Sequence, residues 1–254
     1  MAGHSKWANI KHKKAKEDQK RAKVFSKHLR EITVAARQGG GDPEMNPRLN
    51  VALENAKSDN VPKDNIERAI KKGTGELDEG DSRYDEATYE GYGPGGIAYY
   101  IEVTTNNYNR TVGEIRHIFS KHGGNLGTDG SVAYLFEQKG MIRVKAEQHD
   151  EEELMLDFID AGAEEIESDG EFFAITTARE SMYEVRNKLE EQGYEIDSAE
   201  LVRIPTTEVK VDEETAASNF KLMSAFEDND DVSDVFTNME MDDETLAVAE
   251  KLVN

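Results

Sequence analysis

Cationic side chains recur at helical spacing near the start of this 254-residue chain, at Lys16, Lys20, Lys23, Lys27 and Arg30. At about 100° per residue they fall within roughly 40° of one meridian of a helix and form a stripe. Such a row neutralises phosphates and releases condensed counterions. Lys6, Lys11, Lys13, Lys14 and Arg21 extend the same basic region. Trp7, the single tryptophan, could stack on an exposed base, although such a ring more often anchors a core. Residues 1–40 hold 11 basic and 3 acidic side chains in a chain of net charge −22, and beyond residue 75 the balance is 14 against 44. A solvated charged face would leave that contrast unexplained. Any contact with a polyanion must be local, because most of the surface repels phosphate.

The other residues that could do chemistry carry less. Gly91-Tyr92-Gly93-Pro94-Gly95-Gly96 satisfies a literal GxGxxG, but a strand follows it and Pro94 removes a donor, so a hairpin loop is expected rather than a dinucleotide cradle. His117 and His122 are five apart, which misses the i, i+4 zinc spacing. Asp228-Asn229-Asp230-Asp231 resembles half a calcium loop without its glycine and its final glutamate, and reads as a solvated acidic turn. The Asn and Thr run from Thr105 to Thr111 either caps a helix or cradles an anion at its N-terminus. There is no cysteine, so disulfides, thiolate metal sites and cysteine nucleophiles are absent. No nucleophile with a base, no carboxylate pair and no metal set stands out, so a protein that is not an enzyme and needs no cofactor or metal is expected. No apolar run approaches the ~20 residues that span a bilayer, and no secretory signal opens the chain.

These residues need elements to position them. The stripe predicts a helix from about Lys13 to Gln38, with Phe25, Leu29, Ile32 and Ala36 on the opposite, buried meridian and Gly39, Gly40 and Gly41 as its stop. Asn46 and Pro47 start a second helix, and a third follows Pro62 and stops at Gly73. A linker from Thr74 to Asp85 separates this bundle from strands at Ala87–Gly91 and Ile97–Thr105, a helix from Arg110 to His122 and a strand pair, Ser131–Glu137 and Met141–Ala146. From Met141 the order is strand, helix, strand, strand, helix, strand, the pattern of a ferredoxin-like sandwich, with Asp169-Gly170 as its hairpin turn. Val209 and Val211 could rejoin the earlier sheet. An acidic helix from Asp212 to Phe226, a strand from Val232 to Phe236 and a last helix end the chain. The expected fold class is α+β, with three parts: a basic helical domain over 1–75, a split α+β domain over 80–138 plus 206–254, and a ferredoxin-like βαββαβ domain over 139–205 inserted in it.

The opening Ala2-Gly3-His4-Ser5-Lys6-Trp7-Ala8-Asn9-Ile10-Lys11-His12-Lys13-Lys14 resembles the start of the YebC/PmpR family, also named after a mitochondrial translational activator of cytochrome oxidase. Val61-Pro62-Lys63-Asp64-Asn65-Ile66, Tyr89 to Gly96, Asn109-Arg110-Thr111 and Gly123 to Gly127 with Ser131-Val132 carry the resemblance along nearly the whole chain. It implies an N-terminal helical domain and two α+β domains around a cleft. It also implies a DNA-binding transcriptional regulator or, alternatively, a ribosome-associated translation factor that binds ribosomal RNA and assists synthesis through proline runs. Basic ribosomal proteins are partners the acidic faces would suit. Without the leader of the mitochondrial members the chain is expected to be bacterial and cytoplasmic. Its oligomeric state is open.

Overall fold

The computed structural model describes the backbone of residues 18–77, 84–146, 151–168 and 170–253, and their side chains apart from 18–21, 151–153, 250, 252 and 253. Among the described residues three helices come first: α1 (Asp18–Gly39), α2 (Pro47–Ser58) and α3 (Lys63–Thr74). The Asn46 side chain accepts from the Leu49 N–H at the head of α2, where Pro47 has no N–H to leave unpaired. Ile32, Ala35 and Ala36 of α1 are buried against Leu49, Ala52, Leu53 and Ala56 of α2 and Ile66 and Ala69 of α3. Phe25 and Leu29 pack at the margin of this core, so the expected apolar meridian is the one that is covered. Gly73 does not end α3. A Cβ there would sit 2.4 Å from the Thr33 carbonyl oxygen, so the residue lets α3 press against α1, and the left-handed Gly75 ends the helix after Thr74.

Two four-stranded antiparallel sheets follow. The first contains β1 (Asp85–Tyr92), β2 (Ala98–Thr105), β3 (Asn125–Leu126) and, late in the chain, β8 (Val232–Thr237), in the order β3-β1-β2-β8. Tyr92 pairs with Ala98, and Gly93–Ile97 turns between them with Gly95 and Gly96 at positive φ, the hairpin expected for the glycine-rich loop. One face of this sheet, with Ile97, Tyr99, Ile101 and Val103, is covered by α4 (Tyr108–Lys121), α7 (Glu213–Glu227) and α8 (Asp243–Val253). Phe119 and Phe226 meet edge to face at 4.8 Å in that core.

The second sheet is built from β4 (Phe136–Lys145), β5 (Glu165–Ser168), β6 (Phe172–Ala178) and β7 (Ile196–Pro205), in the order β5-β6-β4-β7. With α5 (Glu151–Ala161) and α6 (Met182–Glu191) between the strands this is the βαββαβ unit. Ile142, Val144, Phe173, Ile175 and Ala199 meet Leu154 and Phe158 of α5 and Met182, Val185 and Leu189 of α6.

Two expectations are corrected here. Ser131–Glu137 and Met141–Ala146 are not a strand pair: β4 is one continuous strand, with Gly140 paired to Thr177 on one side and Leu201 on the other. The stretch before it is held as a turn, because the buried Glu90 carboxylate accepts the N–H groups of Gly130, Val132 and Ala133 at 2.6–2.8 Å. Val209 and Val211 form no strand of the first sheet. Val209 makes a single parallel bridge to Met239, both valines pack against the first core, and β8 is the strand that joins β2.

Candidate nucleic-acid interface

The basic stripe divides along its length. Lys6, Trp7, Lys11, Lys13, Lys14 and Lys16 lie outside the described residues, and Lys20 and Arg21 stand in the first turns of α1 with side chains outside the description. Lys23, Lys27 and Arg30, the last three cations of the stripe, turn toward the loop between α7 and β8. Lys23 Nζ donates to the Asp228 carbonyl oxygen at 2.8 Å and lies 3.4 Å from its carboxylate, and Lys27 Nζ donates to the Glu227 carbonyl oxygen at 3.4 Å. Arg30 donates to the Asp230 carbonyl oxygen, to the Thr104 carbonyl oxygen at 3.2 Å and to Asp231 Oδ1 at 3.0 Å, and its guanidinium lies 5.2 Å from the Tyr84 ring centre. The outward cationic ridge expected of these three is therefore an inward clasp. The reason is tertiary: the apolar face of α1 that buries Ile32 and Ala36 leaves this flank against an acidic turn 200 residues away.

Asp231 organises that turn. Its side chain is 3% exposed, and besides Arg30 it accepts from Arg110 at 2.5 Å, from the Thr111 hydroxyl at 2.7 Å and from the Thr105 hydroxyl at 3.1 Å. Burial pushes its pKa up, but the bonds from Arg110, Thr111 and Thr105 outweigh burial and hold it below the ordinary range. The expected solvated acidic turn thus contains a buried hub. Of the two readings of the Asn and Thr run the structure shows the cap: Asn107 accepts from the Arg110 N–H at the start of α4, and the side chains of Thr105, Arg110 and Thr111 are taken up by the protein's own Asp231. The spacing of Asp231 gave no hint of this, because its four partners come from α1, β2 and α4.

Further along, Arg48 of α2 bridges Glu31 of α1 and Glu86 of β1 at 2.6–3.0 Å, and the two carboxylates together outweigh burial to raise its pKa. The Asn55 amide exchanges hydrogen bonds with the Ala199 backbone of β7, and buried Arg186 of α6 pairs with Glu54 of α2. The three helices are thereby tied to both sheets. Between them lies a cleft of about 1810 Å³. It is lined by six Lys or Arg residues and eleven Asp or Glu residues, among them Glu102 and Asp234, which face each other across β2 and β8. Burial raises the Glu102 pKa, with Asp234 and Glu86 adding to it against Arg203. A cavity of this charge repels a phosphate backbone. Among the described residues no group of His, Asp or Glu could hold a metal ion, and no helix is long and apolar enough to cross a membrane. His117 and His122 are not brought together with any such set.

Among the described residues, three amphipathic helices followed by two antiparallel sheets place the chain among mixed α+β proteins. It belongs to the TACO1/YebC family: the model of the family's N-terminal domain matches residues 5–76, and that of its second and third domain, a transcriptional-regulator model, matches 84–239. A probable transcriptional regulatory protein of Persephonella marina is 58% identical over 248 residues, covering 97% of this chain and 98% of that one. One of the same description from Thermotoga maritima is 51% identical over 247 residues, with 97% and 96% covered. The crystal structure of the conserved hypothetical protein Aq1575 from Aquifex aeolicus aligns with a TM-score of 0.83 at 50% identity, over 90% of this chain and 94% of that chain. The resemblance on the opening motif and the glycine-rich blocks thus holds for the chain as a whole.

Proposed function

We propose that this chain is a nucleic-acid-binding regulator of gene expression that catalyses no reaction. The observation that carries the reading is the local charge of residues 1–40, 11 basic against 3 acidic, in a chain of net charge −22. Lys6, Lys11, Lys13, Lys14, Lys16, Lys20 and Arg21 contact phosphates and Trp7 stacks on a base. Lys23, Lys27 and Arg30, engaged by the loop at 227–231, hold the root of that arm. The relatives' description as probable transcriptional regulatory proteins favours DNA as the target.

One observation favours the alternative, a translation factor on ribosomal RNA. The cleft lined by eleven carboxylates suits a basic protein neighbour, which a ribosome supplies and bare DNA does not.

Binding is tested by fluorescence anisotropy with duplex DNA and with single-stranded RNA across a salt series. Changing Lys11, Lys13, Lys14, Lys16, Lys20 and Arg21 to Gln removes most of the affinity. The slope of log affinity against log salt falls by about 0.9 per lost contact on duplex and about 0.7 on single strands. An unchanged slope sinks the assignment. Crosslinking in cells separates the targets, since promoter DNA recovered with little ribosomal RNA rules out the translation reading.

A further inference from the structure

A second helix presents cations with a single acid among them. From Val103 to Thr128 the chain holds Glu114 as its single carboxylate against Arg110, Arg116 and Lys121, with His117 and His122 besides. In α4 Asn109, Gly113, Arg116, His117 and Ser120 are exposed, while Ile115 and Phe119 are buried on the other side. Lys121 is exposed at the end of the helix, and Lys221 of α7 lies near enough that, after burial, these two lysines lower the His122 pKa. Among the described residues the side chains of Arg116, His117, Lys121 and Lys221 make no ion pair. In so acidic a protein, cations gathered beside one another rather than beside carboxylates stand at an electrostatic cost that an outside anion offsets.

Gly113 is the second observation. It sits in the interior of α4, where glycine costs helix stability relative to alanine, and a Cβ there would meet nothing within 4 Å. The fold has no use for the missing side chain. What the omission provides is a low point at the middle of the exposed face, where another backbone can approach closely.

We propose that this face of α4, with Lys221, is a second contact for nucleic acid and takes one single strand. Its phosphates lie on Arg116, Lys121 and Lys221, and its backbone crosses at Gly113. A duplex fits less well. α7 lies in the same layer over the first sheet and begins with exposed Glu213 and Glu214, so a rigid double helix resting on both helices would set phosphates over carboxylates. A flexible strand follows α4 and meets α7 only at Lys221, about two turns beyond those glutamates.

The face uses none of the residues of the N-terminal arm, so the two assignments fail separately. The full chain is titrated against a labelled single-stranded RNA of about 12 nucleotides, within the usual site size of single-strand binders. Changing Arg116, Lys121 and Lys221 to Gln together weakens binding about tenfold or more and flattens the salt slope by about 2, at about 0.7 per contact. Gly113→Ala raises the melting temperature and still weakens binding, and it remains decisive if the triple variant does not fold. Wild-type affinity and slope in the triple variant, with binding lost in the arm variant, overturns the α4 face alone. Loss in the triple variant with the arm variant unaffected leaves the α4 face standing and removes the arm. Wild-type affinity in both removes both. Gly113→Ala that binds as tightly as wild type overturns the crossing point, and a duplex that competes as well as the strand overturns the choice of single strand.

Discussion

Two helices carry the cations of interest, and they use them differently. The described part of α1 turns Lys23, Lys27 and Arg30 onto Glu227, Asp228, Asp230 and Asp231, whereas Arg116, His117 and Lys121 of α4 find no acid among the described residues. By count α1 is the richer of the two, yet these cations serve to fasten the helices to the first sheet. Charge density along a sequence therefore says how many charges exist, and pairing in space says which remain to meet a ligand.

The largest test of this contrast is Asp231→Asn. It leaves Arg30 and Arg110 without their buried counter-charge and lowers unfolding free energy by about 3 kcal/mol in urea titration. A loss below about 0.5 kcal/mol would mean that the clasp is incidental. The same carboxylate sets a pH dependence. Its folded pKa is depressed, so it contributes stability above the unfolded value, near 3.8, and that contribution is lost as pH falls through the lower folded pKa. Glu90, held below its ordinary 4.5 by the Val132, Gly130 and Ala133 N–H groups against burial, acts in the same direction. Thermal melts should therefore be flat near neutrality and fall below about pH 4.5. Glu90→Gln should cost about 2 kcal/mol and shallow that fall, because an amide cannot accept all three bonds as a carboxylate does. The smallest effects belong to cations that water still reaches. Lys23→Ala should cost less than about 0.5 kcal/mol, and the α4 glutamine variant should change stability by no more than that, since it removes no partner.

Much of the fold was legible because it rests on local patterns. The meridian of Phe25, Leu29, Ile32 and Ala36, the Asn46-Pro47 start and the strand–helix order from Met141 each depend on residues a few positions apart. The misses came where a distant group captured a segment: Glu90 drew Ser131–Leu135 out of a strand, and packing against Thr33 and Ala36 kept Gly73 inside its helix. Asp231 looks solvated from its sequence because nothing adjacent to it marks the arginines it binds. The scarcity of acid around the α4 cations is visible in their own segment, but that α7 brings Lys221 rather than a carboxylate beside them shows only in the assembled fold.

The sequence by itself determined the amphipathic helices, the alternating strands, the family blocks and the confinement of positive charge to a few segments, all of which follow from periodicity and composition within short windows. Tertiary structure alone decided that β8 completes the first sheet, that Asp231 is buried and that Lys23, Lys27 and Arg30 face inward. Those outcomes depend on contacts between residues 100 to 200 positions apart, whose electrostatic and packing energies no local pattern encodes.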